Sequence, residues 1–307
     1  MVIKKSALVS GGSGFIGSHV IDSLLEDDYN VISISKNQPI GTKYNPKATY
    51  IVHDITRPIP KNILERISNV EYIVNCSGYI DHRSFESGGQ SVFDNNMKSL
   101  INLVEIAKAI PLRTMIHLGS SDEYGDIGSP IDEKAREKPI SPYSLSKVMC
   151  SHYLQHLFRS KSFPVIILRP FLIYGEKQKT DRFLPFIIKE CINKKEFKVT
   201  EGYQLRDYCY VKDFTSAIRN CIENKSAYGE IINIGSGKPI SIREVTNKVV
   251  NIIGYGKPLY GEVAYRDSES MALYPNLEKA KSILNWSANY EMEDSLYSVI
   301  NWYKNNV

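Results

Sequence analysis

Two patterns of apolar residues alternate along this chain. Short continuous runs such as Ala7-Leu8-Val9, Val31 to Ile34 and Val165 to Leu168 are separated by longer stretches, such as Ser18 to Leu25, in which apolar positions recur at helical spacing. Runs of this length read as strands buried on both faces, and the stretches between them as amphipathic helices. Strands are predicted at 7–10, 31–34, 48–52, 71–75, 114–118 and 165–169. The alternation predicts an α/β fold with a doubly wound parallel sheet and helices on both faces. Residues 1–169 plus about 207–235 are expected to form this domain, and about 170–206 plus 239–307 a smaller lobe.

The first strand runs straight into Gly11-Gly12-Ser13-Gly14-Phe15-Ile16-Gly17, and a helical pattern follows. Glycines at a strand-to-helix turn let the backbone approach a pyrophosphate, which then meets the unpaired N–H groups of the helix start. This places Gly11, Gly14, Phe15, Ile16 and Gly17 at a dinucleotide and makes the sheet domain Rossmann-type. An acidic residue at the end of the second strand would bind the ribose 2′-hydroxyl of NAD. That strand ends Ser33-Ile34-Ser35-Lys36, and no carboxylate stands between Asp28 and Asp54. Ser35 and Lys36 suit a 2′-phosphate, so NADP(H) is favoured. NAD(H) stays possible if Lys36 is solvated and the backbone holds the ribose.

Tyr143 and Lys147 stand four residues apart in Ser-Pro-Tyr-Ser-Leu-Ser-Lys. That is one helical turn, so both side chains share a face. A free phenol is a poor base at neutral pH, and a neighbouring ammonium favours the phenolate. The pair is then a general acid/base for a hydroxyl or ketone. By itself the spacing equally describes an exposed helix pair.

Taken together these motifs resemble the extended short-chain dehydrogenase/reductases, the family of nucleotide-sugar epimerases, dehydratases and reductases. The resemblance covers nearly the whole chain. Gly11, Gly14 and Gly17 match its glycine turn, His53-Asp54-Ile55 its adenine contact, and Asn75-Cys76-Ser77-Gly78 stands in place of its cofactor loop. Asn96 matches a helix-start asparagine, and His117 to Gly125 the strand end that carries a catalytic Ser/Thr. The resemblance implies Ser120, Tyr143 and Lys147 as catalytic residues. It implies Asp54, Ile55, Cys76, Ser77 and Asn96, with Tyr143 and Lys147, at the cofactor. Gln204 to Asp213 follows a family segment whose arginine reaches a sugar-nucleotide pyrophosphate. Arg206 takes that role, with Arg266 in the later arginine segment; a planar guanidinium suits phosphate oxygens. Ser121, Asp122, His82 and Arg182 complete the expected substrate residues, and Asp81 stands beside His82. Homodimerisation through two helices per subunit, one bearing Tyr143, is also implied.

Two departures bear on the reaction. Leu172 replaces an asparagine that often contacts the substrate phosphate. Family 4,6-dehydratases place Asp-Glu directly after the catalytic Ser/Thr, and here those positions hold Ser121 and Asp122. Dehydration needs an acid for the departing hydroxyl and a base for the adjacent proton, so one carboxylate is a poor set unless a shifted register brings in Glu123. The resulting expectation is an NADPH-dependent reductase of a nucleotide-activated 4-keto-6-deoxy sugar. A C4-epimerase with tightly bound NAD is the alternative, and a 4,6-dehydratase or a catalytically silent dinucleotide-binding protein ranks below both.

Composition adds mainly exclusions. A net charge of +4 over 307 residues, mixed in sign along the chain, gives no basic run for nucleic acid. Five cysteines and six histidines show neither a disulfide framework nor metal-ligand spacing, so no metal is expected. Free cysteines suggest a cytoplasmic setting. No signal peptide or membrane span is expected from the apolar pattern.

Overall fold

A computed structural model of the chain describes residues 4–265 and 269–306. Its first part runs β1 (Ser6–Ser10), α1 (Phe15–Glu26), β2 (Asn30–Ser35), β3 (Thr49–Val52), α2 (Lys61–Arg66), β4 (Tyr72–Asn75), α3 (Gln90–Lys108), β5 (Thr114–Leu118), α4 (Pro142–Lys161) and β6 (Val165–Pro170). Then come β7 (Leu172–Tyr174), α5 (Phe183–Ile192), β8 (Glu196–Val199), β9 (Leu205–Tyr210), α6 (Val211–Cys221), β10 (Ile231–Ile234), β11 (Pro239–Ser241), α7 (Ile242–Ile253), β12 (Lys257–Tyr260), β13 (Ala272–Leu273), α8 (Glu278–Leu284) and α9 (Met292–Asn306).

Seven strands form a parallel sheet in the order β10-β6-β5-β4-β1-β2-β3. The order in which strands are added reverses between β1 and β4, which opens a crevice at their carboxyl ends. Because side chains alternate across a strand, β1 feeds two cores. Ala7 and Val9 pack with Val20, Ile21 and Leu24 of α1 and Phe214 and Ile218 of α6. Leu8 packs on the other face with Leu100 and Leu103 of α3 and Leu154 of α4. Both faces are covered, which is why these strands read as unbroken apolar runs.

The smaller lobe is a different construction. β9 pairs with β7, β11 and β13, and β8 pairs with β12. Helices α5, α7 and α9 supply Ile187, Val245 and Leu296 to a third core that includes Tyr174 and Tyr210. The segment 207–235 divides between the halves. β9 stands in the lobe's sheet, and α6 and β10 complete the large one. The C-terminal part also divides, since Ala280 and Leu284 of α8 and the following Trp286 pack into the first core beneath α6. Trp286 Nε1 donates to Ser216 Oγ at 2.8 Å, so the indole is anchored as well as buried. Among the described residues no helix is long and apolar enough to cross a membrane.

Candidate active site

The glycine turn lies at the carboxyl end of β1, at the crevice. Gly11 has φ +78°, and a Cβ there would stand 2.8 Å from the backbone nitrogen of Ser77. A Cβ on Gly17 would stand 2.3 Å from the Gly11 carbonyl oxygen. Only glycine lets these three backbones pack so closely. Helix α1 starts at Phe15 with Gly14 at its N-cap and no side-chain cap, so its first N–H groups face the crevice. Ser13 N donates to Ser35 Oγ at 3.2 Å, tying the turn to the end of β2. The turn fits a dinucleotide: the N–H groups at the start of α1 would hold its pyrophosphate, and residues at the ends of β2 and β3 its adenosine.

At the adenosine end, Lys36 Nζ lies 3.3 Å from Asp54 Oδ2. Partial burial pushes the Asp54 carboxyl up, but the hydroxyl and N–H of Thr56 together with Lys36 outweigh it and hold the pKa at about 2. Lys36 is thus mostly exposed and shares its charge with Asp54. Ile55 is buried beside Asp54. Asn96 is turned to the loop after β4: its side chain accepts from Tyr79 N (2.9 Å) and donates to Tyr79 O (3.2 Å) and Ser146 Oγ (2.9 Å). It braces the cofactor loop against α4. Ser77 Oγ donates to Asn75 Oδ1 at 2.6 Å, and burial pushes the Cys76 thiol up to about 12.

Ser120, Tyr143 and Lys147 come together beside this turn. Helix α4 starts sharply because Ser141 caps it, accepting from Ser144 N at 3.1 Å, and Pro142 fits the first turn. Tyr143 thus enters on the helix's first turn, near Ser120 just past the end of β5, whose hydroxyl bears on the phenol. One turn on, Lys147 Nζ donates to Leu118 O at 2.8 Å and lies close to Gly78 of the cofactor loop. Burial raises the Tyr143 pKa and Asp122 adds to the rise, whereas the Ser120 hydroxyl and the charge of Arg182 oppose it. A neighbouring ammonium is expected to favour the phenolate; the largest influence on this phenol is burial, which favours the neutral form. Burial likewise lowers the Lys147 pKa, against the opposing pull of Cys150 and Glu123.

The expected substrate residues fare differently. The His82 ring stands edge-on to Tyr143 with centroids 5.3 Å apart, at the mouth of the crevice. Asp81 turns away to Arg83, which holds its carboxyl at about 2 through hydrogen bonds. Asp122 is half-buried and bears on both Tyr143 and Lys147, and Ser121 is buried behind it. Arg182 caps α5, half-exposed. Arg206 is buried on β9, donating to Leu205 O at 2.8 Å and pairing with Glu269. Leu172 is 39% exposed. Arg266 lies outside the described residues.

Sequence reasoning missed Glu123 except as a stand-in acid, and the structure removes it from that role. Its side chain is fully buried and bound to Arg169, Ser151 and the Ser120 backbone. The available signal was Arg169, a charged residue that continues the buried run Val165 to Leu168. Such a residue calls for a buried partner.

The model of the NAD dependent epimerase/dehydratase family matches residues 7–235. A putative UDP-glucose 4-epimerase of Methanocaldococcus jannaschii is 32% identical over 310 residues, covering 97% of this chain and 98% of that protein. The dTDP-D-glucose 4,6-dehydratase of Mus musculus is 26% identical, covering 98% of this chain and 89% of its own length. Among solved structures, UDP-glucose 4-epimerase of Thermotoga maritima with UDP-glucose superposes with a TM-score of 0.89 at 24% identity, covering 98% and 99% of the two chains. That likeness is one of fold. The family match spans the glycine turn, the Ser120 strand end and the Tyr143 helix alike, and the chain is an enzyme of the NAD-dependent epimerase/dehydratase family.

Proposed function

We propose that this enzyme interconverts C4 epimers of a nucleoside-diphosphate sugar through a 4-keto intermediate, with NAD that stays bound. The observation that carries the reading is the buried Tyr143, close enough to Ser120 for that hydroxyl to bear on its pKa, one helical turn before Lys147, which is tied to the Leu118 carbonyl. The dinucleotide supplies reversible hydride acceptance at C4. As the phenolate, the form that the positive charge of bound NAD would favour against burial, Tyr143 would take the proton of the C4 hydroxyl as the carbonyl forms and return it when the sugar is reduced on its other face. Ser120 holds the same oxygen by a hydrogen bond. Lys147 lies against the cofactor loop and would hold the nicotinamide ribose. Arg206, released from Glu269, and Arg266 would grip the diphosphate, so that remote binding energy orients C4. His82, Asp122 and Arg182 would line the sugar. The relative at 32% identity, named a putative UDP-glucose 4-epimerase, supports this reaction. The engagement of Glu123 argues against dehydration, because Asp122 alone must then serve as both acid and base.

A second reading, NADPH-dependent reduction of a 4-keto-6-deoxy sugar, is favoured by Ser35 and Lys36 at the end of β2. It ranks second because Lys36 already faces the Asp54 carboxylate, which a 2′-phosphate would have to share. Absorbance of the purified protein separates the two. Bound NAD with sugar interconversion and no added cofactor supports the epimerase. Consumption of NADPH, with no interconversion, supports the reductase. We also propose a homodimer in the cytoplasm, formed through α3 and α4, where Ile101 and Met149 are exposed. Light scattering at the mass of one chain would overturn the dimer.

A further inference from the structure

Glu123 does not touch the crevice, yet it is bonded both to the segment that carries Ser120 and to the helix that carries Tyr143 and Lys147. Its Oε1 accepts from Ser120 N at 2.8 Å. Its Oε2 accepts from Ser151 Oγ at 2.9 Å and from Arg169 Nε at 2.9 Å. Ser151 stands eight residues after Tyr143 and four after Lys147, on the same stripe of α4. One carboxylate therefore joins the Ser120 backbone to the helix face that presents the tyrosine and the lysine. Arg169 is itself fully buried, with Nη2 2.7 Å from Glu137 Oε1 and its guanidinium 4.5 Å from the Tyr124 ring centroid. Gly119 leaves the space, since a Cβ there would stand 2.4 Å from Glu123 Oε1.

A buried carboxylate is costly, and an apolar side chain would usually fill such a site at less cost. The geometry points to a return: we infer that Glu123 is a positioning residue that fixes Ser120 relative to Tyr143 and Lys147. The inference rests on the reading of Tyr143 as the proton-transferring group. Its negative charge also bears on both partners. Around Tyr143 stand Ser120, Asp122, Glu123, Arg182 and His82. Around Lys147 stand Asp122, Glu123, Cys76, Cys150 and the Leu118 carbonyl. Removing the Glu123 charge lowers the proton affinity of Tyr143, and the uncompensated Arg169 pushes the same way.

The test is Glu123→Gln in the holoenzyme, assayed for whichever turnover the wild type shows. We expect kcat to fall about tenfold or more with KM for the nucleotide sugar within about twofold, the pattern of a lost transition-state interaction. The limb of the pH profile governed by Tyr143 moves to lower pH. A kcat and pH profile that superimpose on the wild type overturn the inference. Ser151→Ala serves if Glu123→Gln does not fold. It keeps every charge, and kcat should fall about threefold or more with the limb in place. An unchanged kcat in that variant overturns the tether. Amide hydrogen exchange across Ser120 should speed up in either variant, and this readout needs no turnover. It therefore separates failure of the tether from failure of the proposed reaction.

Discussion

The two sides of the crevice are held together by different means. On the sheet side, backbone packs on backbone, Gly17 against Gly11 and Gly11 against Ser77, and the Lys147 side chain is tied to the Leu118 carbonyl. Tyr143 and Lys147 are both nearly fully buried, and Glu123 and Arg169 lock the strand end beneath them. On the lobe side, the residues that the sequence pointed to are long or exposed. Arg182 is half-exposed, Leu172 is exposed, and Arg206 spends its guanidinium on Glu269. The difference separates chemistry from selection. The sheet side is built to keep ångström-scale geometry, and the lobe side must exchange partners when a diphosphate arrives.

The sharpest way to break this comparison is Tyr143→Phe. Turnover should fall by about 10³-fold while bound cofactor and folding stay near wild type, since only a hydroxyl is removed. Retained turnover, measured by conversion of the nucleotide sugar, would remove the tyrosine from its role. Next in size is Gly17→Ala, whose Cβ would collide with the Gly11 carbonyl. Urea unfolding should show a loss of about 1–3 kcal/mol, with cofactor lost during purification. A stable variant that keeps its cofactor would mean that the turn is looser than its contacts imply.

How legible each side was in the sequence follows the same division. The six predicted strands of the large sheet appear within two residues of their expected ends, because strands covered on both faces must be apolar throughout. The glycine turn was legible because its backbone contacts admit no side chain. The lobe was not, because β7, β9, β11 and β13 are short pieces drawn from distant parts of the chain, and no local period announces their pairing. Trp286 shows the same limit. It lies near the C-terminus and packs under α6, a contact that only the fold creates. Glu123 was hidden for another reason: beside Asp122 it reads as a solvated acidic pair, and its partner Arg169 lies 46 residues away.

On the lobe side, Arg206→Lys tests whether the guanidinium fork grips the substrate. KM for the nucleotide sugar should rise about tenfold with kcat within about twofold, because a point charge replaces bidentate contacts. A fall in kcat with unchanged KM would move Arg206 from selection to chemistry. The smallest expected effect lies at Asp54. Its carboxyl is held at about 2, below the ordinary 3.8, so the ionised form stabilises the fold above about pH 4. That contribution is lost as pH falls from about 4 towards 2. Solvent screening keeps it below about 1 kcal/mol. The melting temperatures of wild type and Asp54→Asn should therefore converge across that window, and a gap that widens on acidification would contradict the assignment.

The central claim is reversible oxidation at C4 by a sheet side that holds its own cofactor. Purified enzyme, with no cofactor added, is incubated with UDP-glucose and then with CDP-, GDP- and dTDP-linked hexoses, and the configuration at C4 is followed by proton NMR. The account predicts that at least one of these sugars reaches a mixture of two epimers, and that Tyr143→Phe abolishes the exchange. No exchange with any of them, together with NADPH consumption on a 4-keto-6-deoxy sugar, would contradict it.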